Sequence, residues 1–233
     1  MPVTPNSSDL PVPVAEQLAG LDLHPGRPLL IADADEVLFY FMRGLEGFLD
    51  RQGLYFDWRS YALYGNIRRR DDDSPMAAEQ LHPLLQGFFA EATESLAPVD
   101  GAAAALADLG RHAQIVVLSN LPLTARPARQ RALARHGMAY PLIANTGPKG
   151  PAVAHMRQRV DAPAVFIDDI PHNHASVAQL APTTHRLHFV ADPRLAALLG
   201  PAPDCHHRAA SWDDIHSHVA ALLQDRTADA HRD

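Results

Sequence analysis

Lysine is nearly missing from this chain: of its 20 basic residues 19 are Arg, and the one exception is Lys149. Cysteine is equally scarce. The single Cys205 cannot close an internal disulfide and excludes a zinc site built from thiolates alone, so a reducing compartment fits. Clustered positive charge is lacking too. The 27 acidic side chains outweigh the 20 basic ones, for a net charge of −7, which argues against a nucleic-acid partner held by phosphate contacts. Arg68, Arg69 and Arg70 form the one dense basic run, and Asp71, Asp72 and Asp73 cancel it at once, as in a solvated charged loop. Before Arg27 there is no cation and no long apolar run, while Pro stands at positions 2, 5, 11 and 13. That is neither a signal peptide nor a transmembrane helix, so residues 1 to 14 are expected to form a flexible tail on a cytoplasmic protein with no membrane partner.

What is present is a pattern. The 233 residues are 47% apolar, enough for one core domain, or a core carrying a small insert. From residue 28 onward, short runs rich in Val, Ile and Leu alternate with amphipathic stretches. Strands are expected at Pro28–Asp33, Gln114–Ser119, Tyr140–Ala144, Ala164–Asp168 and His185–Val190, and helices at Gly101–Arg111, Ala125–Gly137, Pro151–Val160, Asn173–Leu180 and Pro193–Leu199. Near-continuous apolarity within the strands fits a parallel sheet covered on both faces, an α/β class. Residues 40–98 break the alternation. They contain no convincing strand, while Phe41, Leu45, Phe48 and Leu49, and then Leu81, Leu84, Leu85, Phe88 and Phe89, sit at helical spacing, so a helical insert is expected there between residues 15–39 and 99–233 of the core.

In an open parallel sheet, functional groups collect past the carboxyl ends of the strands. The first strand ends in Asp33 with Asp35 close behind, the second in Ser119 and Asn120, the third is followed by Lys149, and the fourth ends in Asp168 and Asp169. Any one of these is an ordinary cap or turn former. In this order, with 86 residues from 33 to 119, 30 from 119 to 149 and 19 from 149 to 168, the set is more specific. It resembles the four motifs of the haloacid dehalogenase superfamily over roughly residues 28 to 190. The resemblance implies a Rossmann-like sheet core with a helical cap of the first type at residues 40–98, and a Mg²⁺-dependent phosphomonoester hydrolase acting on a small phosphorylated metabolite.

It also implies roles. Asp33 would be the nucleophile, forming an aspartyl-phosphate, and Asp35 the general acid and base, with Mg²⁺ held by Asp33, Asp35, Asp168 and Asp169. Ser119, the backbone near Asn120 and Lys149 would hold the transferring phosphoryl oxygens. A compact ammonium and a planar guanidinium are not interchangeable, so one Lys in an otherwise all-Arg chain is itself a sign of function. The segment 40–98 contains no Lys, which excludes a phosphonoacetaldehyde-type hydrolase with its Schiff base there, and Asp35 argues against a metal-free dehalogenase. A phosphomutase, or a regulatory protein that binds metal and phosphate without turnover, remains an alternative. The oligomeric state stays open.

Two departures from the family pattern stand out. Glu36 follows the second Asp and is expected beside the entrance, where it would repel polyanions or meet a cationic part of a substrate. Asn173 stands where a second acid is frequent. In the insert Arg43, Trp58, Arg59, Tyr61, Tyr64 and Arg68 are candidates to reach the substrate, with Arg43 the first choice. The Arg residues at 126, 129, 131 and 135 read as a solvated helix face. The 14 histidines read as scattered and mostly at the surface, with His172 alone next to the site.

Overall fold

The computed structural model describes residues 10–229. In chain order the elements are α1 (Val12–Ala19), β1 (Leu29–Ala32), α2 (Phe41–Arg51), β2 (Leu54–Phe56), β3 (Ile67–Arg69), α3 (Ala78–Ala92), α4 (Ala102–Leu109), β4 (Gln114–Asn120), α5 (Arg126–Arg135), β5 (Leu142–Asn145), α6 (Gly150–Arg157), β6 (Ala164–Asp168), α7 (Pro171–Leu180), β7 (His185–His188), α8 (Pro193–Leu198), β8 (His207–Arg208) and α9 (Trp212–Asp229). No helix among the described residues is long and apolar enough to cross a membrane.

Six strands form one parallel sheet in the order β5-β4-β1-β6-β7-β8. Every residue of β1 is buried because the strand has a partner on each edge and a layer on each face. Leu30 and Ala32 point into the larger apolar cluster, Leu29 and Ile31 into the smaller one beneath α1, α6 and α7. Full burial of one such Leu or Ile contributes about 1.5–3 kcal/mol, so the alternation sets both face and register. The chain leaves β1, returns to its side as β4, then crosses to its other edge as β6, and such a reversal of strand order opens a crevice at the carboxyl ends.

The five strands and five helices read from the sequence are all present within a few residues of their expected ends. Three regions differ. Residues 12–14 belong to α1, where Val14 and Leu18 pack on the sheet side of α6, so the chain is anchored earlier than a tail ending at residue 14; residues 1–9 of that tail lie outside the described residues. Residues 40–98 hold a two-stranded antiparallel ribbon, β2 with β3, beside α2 and α3. Its strands are three residues long and one of them is Ile67-Arg68-Arg69, too short and too charged for alternation to register. The basic run is therefore partly strand, with Arg68 paired to Asp73 across the turn. The C-terminal α9 is anchored by Trp212, fully buried, whose Nε1 donates to the Val37 carbonyl at 2.8 Å just past β1.

Candidate active site

The register brings the acids together. Ala32 pairs with Val117 on one side and Ile167 on the other, so Asp33, Ser119 and Asp168 emerge at neighbouring strand ends. The Asp33 amide still donates to the Ile167 carbonyl at 2.9 Å, which locks the first acid against the second strand. Carboxylate oxygens of Asp33, Asp168 and Asp169 lie within 4.8 Å of one another, all three residues buried.

Lys149 reaches this cluster from below. Its side chain is fully buried, with Nζ 2.8 Å from Asp33 Oδ2 and 2.6 Å from Asp168 Oδ2. Burial alone would lower its pKa, but the carboxylates of Asp168 and Asp33 more than reverse that, so it stays an ammonium. The approach to Lys149 is built by its neighbours. Gly147 takes a φ of +81°, open to glycine at no steric cost, and its carbonyl accepts from Asn120 Nδ2 at 2.9 Å and Asn145 Nδ2 at 3.0 Å. At Gly150 the chain passes so close to α7 that any Cβ would collide with the backbone and hydroxyl of Ser176.

Burial pushes the Asp33 carboxyl up to about 7, resisted by Lys149 and reinforced by Asp168 and Asp35. Asp169 is raised well above the carboxylate range, first by burial and then by Asp168 and Asp33. Like charges crowded in a dry site have this signature, and an added divalent cation relieves it. Two further buried polar atoms, the Ser119 hydroxyl and Asn173 Oδ1, lack any partner. An all-oxygen donor set of this kind fits a hard cation such as Mg²⁺. Within the set the acids are not equivalent. Asp168 is already committed, Oδ2 to Lys149 and Oδ1 to the Ile170 amide and Asn173 Nδ2, both at 2.9 Å.

Asp35 is held from an unexpected direction. Its Oδ1 accepts from the guanidinium of Arg129, which is completely buried on α5 and stacks over the Phe39 ring, 4.9 Å from its centroid. The expectation of a solvated face holds for Arg131 and Arg135, which pair with the half-buried Glu94, and fails for Arg129. In a chain that uses Arg for nearly every cation, no single Arg stands out by type.

Glu36 does line the crevice, but its carboxylate is taken up by the backbone. It is buried, at a φ of +57°, with Oε1 accepting from the Met42 amide and Oε2 from the Asp192 amide, each at 2.7 Å. The carboxylate thus caps the first turn of α2, where an anion is favoured, and ties it to the start of α8. Burial raises its pKa to about 7 against those two hydrogen bonds, and neither oxygen is free to meet a substrate. Arg43 lies over the Tyr40 ring at 3.5 Å and does not line the crevice. Trp58 packs on Phe56 and Arg194, and Arg59 and Arg68 pair with Asp57 and Asp73, while Tyr64 points to solvent. Of the six insert candidates only Tyr61 reaches the crevice, and His172 lines it as expected.

The cavity over the acids measures about 260 Å³. Asp33, Asp35, Asp169 and Asn120 contribute to its floor, and Phe41, Met42, Leu63, Leu85 and Phe89 to the wall supplied by residues 40–98. Two histidines read as surface residues lie beneath the floor instead. His174 and His188 are buried, their Nε2 atoms 2.9 Å from the carbonyls of Asp168 and Asp169, and so brace the backbone that presents the acid pair.

No family model matches the chain, and no curated protein does. Solved structures do. A conserved haloacid dehalogenase-like protein of unknown function from Agrobacterium tumefaciens superposes with a TM-score of 0.56 at 15% identity, covering 84% of this chain and 99% of that one. The chain has the haloacid dehalogenase fold. A hydrolase of the same fold from Deinococcus radiodurans, with bound phosphate and sodium, gives 0.53 at 19% identity over 86% and 96% of the two chains. An L-2-haloacid dehalogenase gives 0.51 at 16% identity over 83% and 100%. The haloacid dehalogenase fold thus accounts for the strand order, while identities this low leave the chemistry to be argued from the side chains.

Proposed function

We propose that the protein is a Mg²⁺-dependent phosphomonoester hydrolase. The observation that carries this reading is the convergence of Asp33, Asp168 and Asp169 on a fully buried Lys149, beside an unpartnered Ser119 hydroxyl, at one set of strand ends. Phosphate in the similar Deinococcus hydrolase supports it. Residues 40–98 would serve as the cap, and a reducing, cytoplasmic setting suits the free Cys205.

Asp33 and Asp169 would hold Mg²⁺ together with the Asp35 backbone carbonyl, while Asp168, which accepts from Lys149, the Ile170 amide and Asn173, would orient Lys149. Bound there, the ion would neutralise the repulsion between a phosphate dianion and these carboxylates. Asp33 Oδ attacks phosphorus, the ester oxygen leaves, and an aspartyl-phosphate forms. Asp35 gives its proton to that leaving oxygen and then takes one from the water that attacks the aspartyl-phosphate. Arg129 acts as a positioning residue, engaging Oδ1 of Asp35 and leaving Oδ2 for proton exchange. The Ser119 hydroxyl and Lys149 ammonium donate to the phosphoryl oxygens as charge shifts onto them, and Asn120 holds the Gly147 loop that presents Lys149. The test is phosphate release from an aryl phosphate. Turnover is expected with Mg²⁺, none with chelator, and none from Asp33→Asn with an unchanged circular dichroism spectrum; hydrolysis by that variant would refute the nucleophile.

A further inference from the structure

The crevice is charged below and apolar above, and no Lys or Arg among the described residues lines it. The two cations nearest the floor, Lys149 and Arg129, are fully buried and already spent on Asp33, Asp168 and Asp35. Each of the six arginines between residues 40 and 98 is engaged away from the cavity. Arg43 lies on Tyr40, Arg51 pairs with Glu91, Arg59 with Asp57, Arg68 with Asp73 and Arg70 with Asp50, while Arg69 donates to Gln80. Arg194, next to the lining Leu195, is held by Glu46 and Asp192. The opposing wall is stiff. Phe41, Phe88 and Phe89 pack edge to face with centroids 5.1 Å apart (Phe41 and Phe88) and 5.5 Å apart (Phe88 and Phe89).

An anionic group on the far side of a bound ester would lose its water here and find carboxylates, apolar carbon and the hydrogen-bonding groups of Tyr61 and His172, with no Lys or Arg to answer its charge, which is unfavourable. An apolar group would bury its surface at no such cost. At about 260 Å³ the cavity is also below the roughly 300–1,000 Å³ of sites for drug-sized ligands. We infer that the site selects phosphomonoesters whose non-phosphate part is small, uncharged and apolar, such as aryl or short alkyl groups, and discriminates against esters bearing a carboxylate or a second phosphate. This inference rests on the phosphohydrolase reading and narrows its substrate class.

Two measurements on the Mg²⁺-loaded full chain test it separately from that reading. In the first, kcat/KM is compared for ethyl, propyl, butyl and phenyl phosphate against phosphoglycolate and a sugar bisphosphate. A rise of about fourfold per added methylene is expected, the equivalent of one buried CH₂, with phosphoglycolate at least tenfold below propyl phosphate. A flat series, or a preference for phosphoglycolate or the bisphosphate, would overturn the inference. In the second, calorimetry compares propylphosphonate with phosphonoacetate, neither of which is hydrolysed. Tighter propylphosphonate binding without turnover of any ester would sustain the selectivity and refute the hydrolase; equal or reversed binding refutes the selectivity. Leu85→Lys, at a half-buried wall position, is expected to shift the preference toward phosphoglycolate, and an unchanged ratio would count against the wall as its source.

Discussion

The floor of the crevice and its wall are made by opposite rules. On the floor, charges are gathered and most are answered, Lys149 by two carboxylates, Asp35 by Arg129 and Asp168 by an amide and an amide side chain, while Asp169 is left among like charges. On the wall, aromatic and aliphatic carbon faces the cavity while the arginines of the same segment are tied off elsewhere. The difference teaches where chemistry and selection reside. Groups that handle a phosphoryl transfer must be held rigidly on the sheet, whereas the part that meets the rest of the substrate need only supply shape and surface.

The comparison can be broken first at the floor. Lys149→Met leaves three buried carboxylates unneutralised, so a loss of about 3–5 kcal/mol in denaturant unfolding is expected, with phosphate release down on the order of 10²–10³. Near-normal stability would mean that the ammonium does not balance this cluster. A smaller, sharper effect is expected from Arg129→Met. Alkyl phosphates, which need a proton on the leaving oxygen, should lose about tenfold to a hundredfold in kcat with KM little changed, part of the 10²–10⁴ that a positioned acid supplies. An aryl phosphate with a good leaving group should lose less, and Arg129→Lys should restore part of the deficit. Equal losses on both esters would make Arg129 merely structural.

The smallest expected effect lies outside both regions, at the edge formed by β7, β8 and α9. There His185 Nε2 meets His218 Nε2 at 2.9 Å, with His206 stacked on one ring and His207 on the other. Burial, then His206 and His218, lowers the His185 pKa to about 4. A histidine depressed in the folded state is neutral in both states above about pH 6.5, while between 6.5 and 4 the unfolded chain binds the extra proton. Its contribution to stability therefore falls with pH across that window and levels off below it. The stability difference between the protein and His185→Gln should shrink from pH 7 to pH 5 with turnover at pH 7 unaffected. A constant difference would contradict the linkage.

Legibility in the sequence divides along the same line as floor and wall. Asp33, Asp35, Ser119, Lys149, Asp168 and Asp169 could be found because each ends or follows a hydrophobic run, and strand ends converge in a parallel sheet whatever the loops do. Lys149 carried an extra signal in being the one Lys. The supports were hidden. Arg129 shares its helix with three other arginines, and only the packing of α5 against Phe39 separates it from them. That the Glu36 carboxylate is taken up by two backbone amides was not legible, because its partners, Met42 and Asp192, are far apart in sequence from each other. Phe41 was read in one apolar helical stripe and Leu85 and Phe89 in another, yet periodicity cannot say whether a stripe faces a core or a ligand. The ribbon of β2 and β3 was missed because three-residue strands carry almost no period.

The central claim is that Asp33 takes the phosphoryl group. The direct measurement is acid quenching of Asp35→Asn, in which release from the enzyme should be slowed, after mixing with an aryl phosphate and Mg²⁺, followed by peptide mass mapping. A phosphoryl group on the peptide at Asp33, absent when Asp33→Asn is combined with it, is the expected result. Phosphate release without any adduct, or an adduct on another residue, would contradict the account.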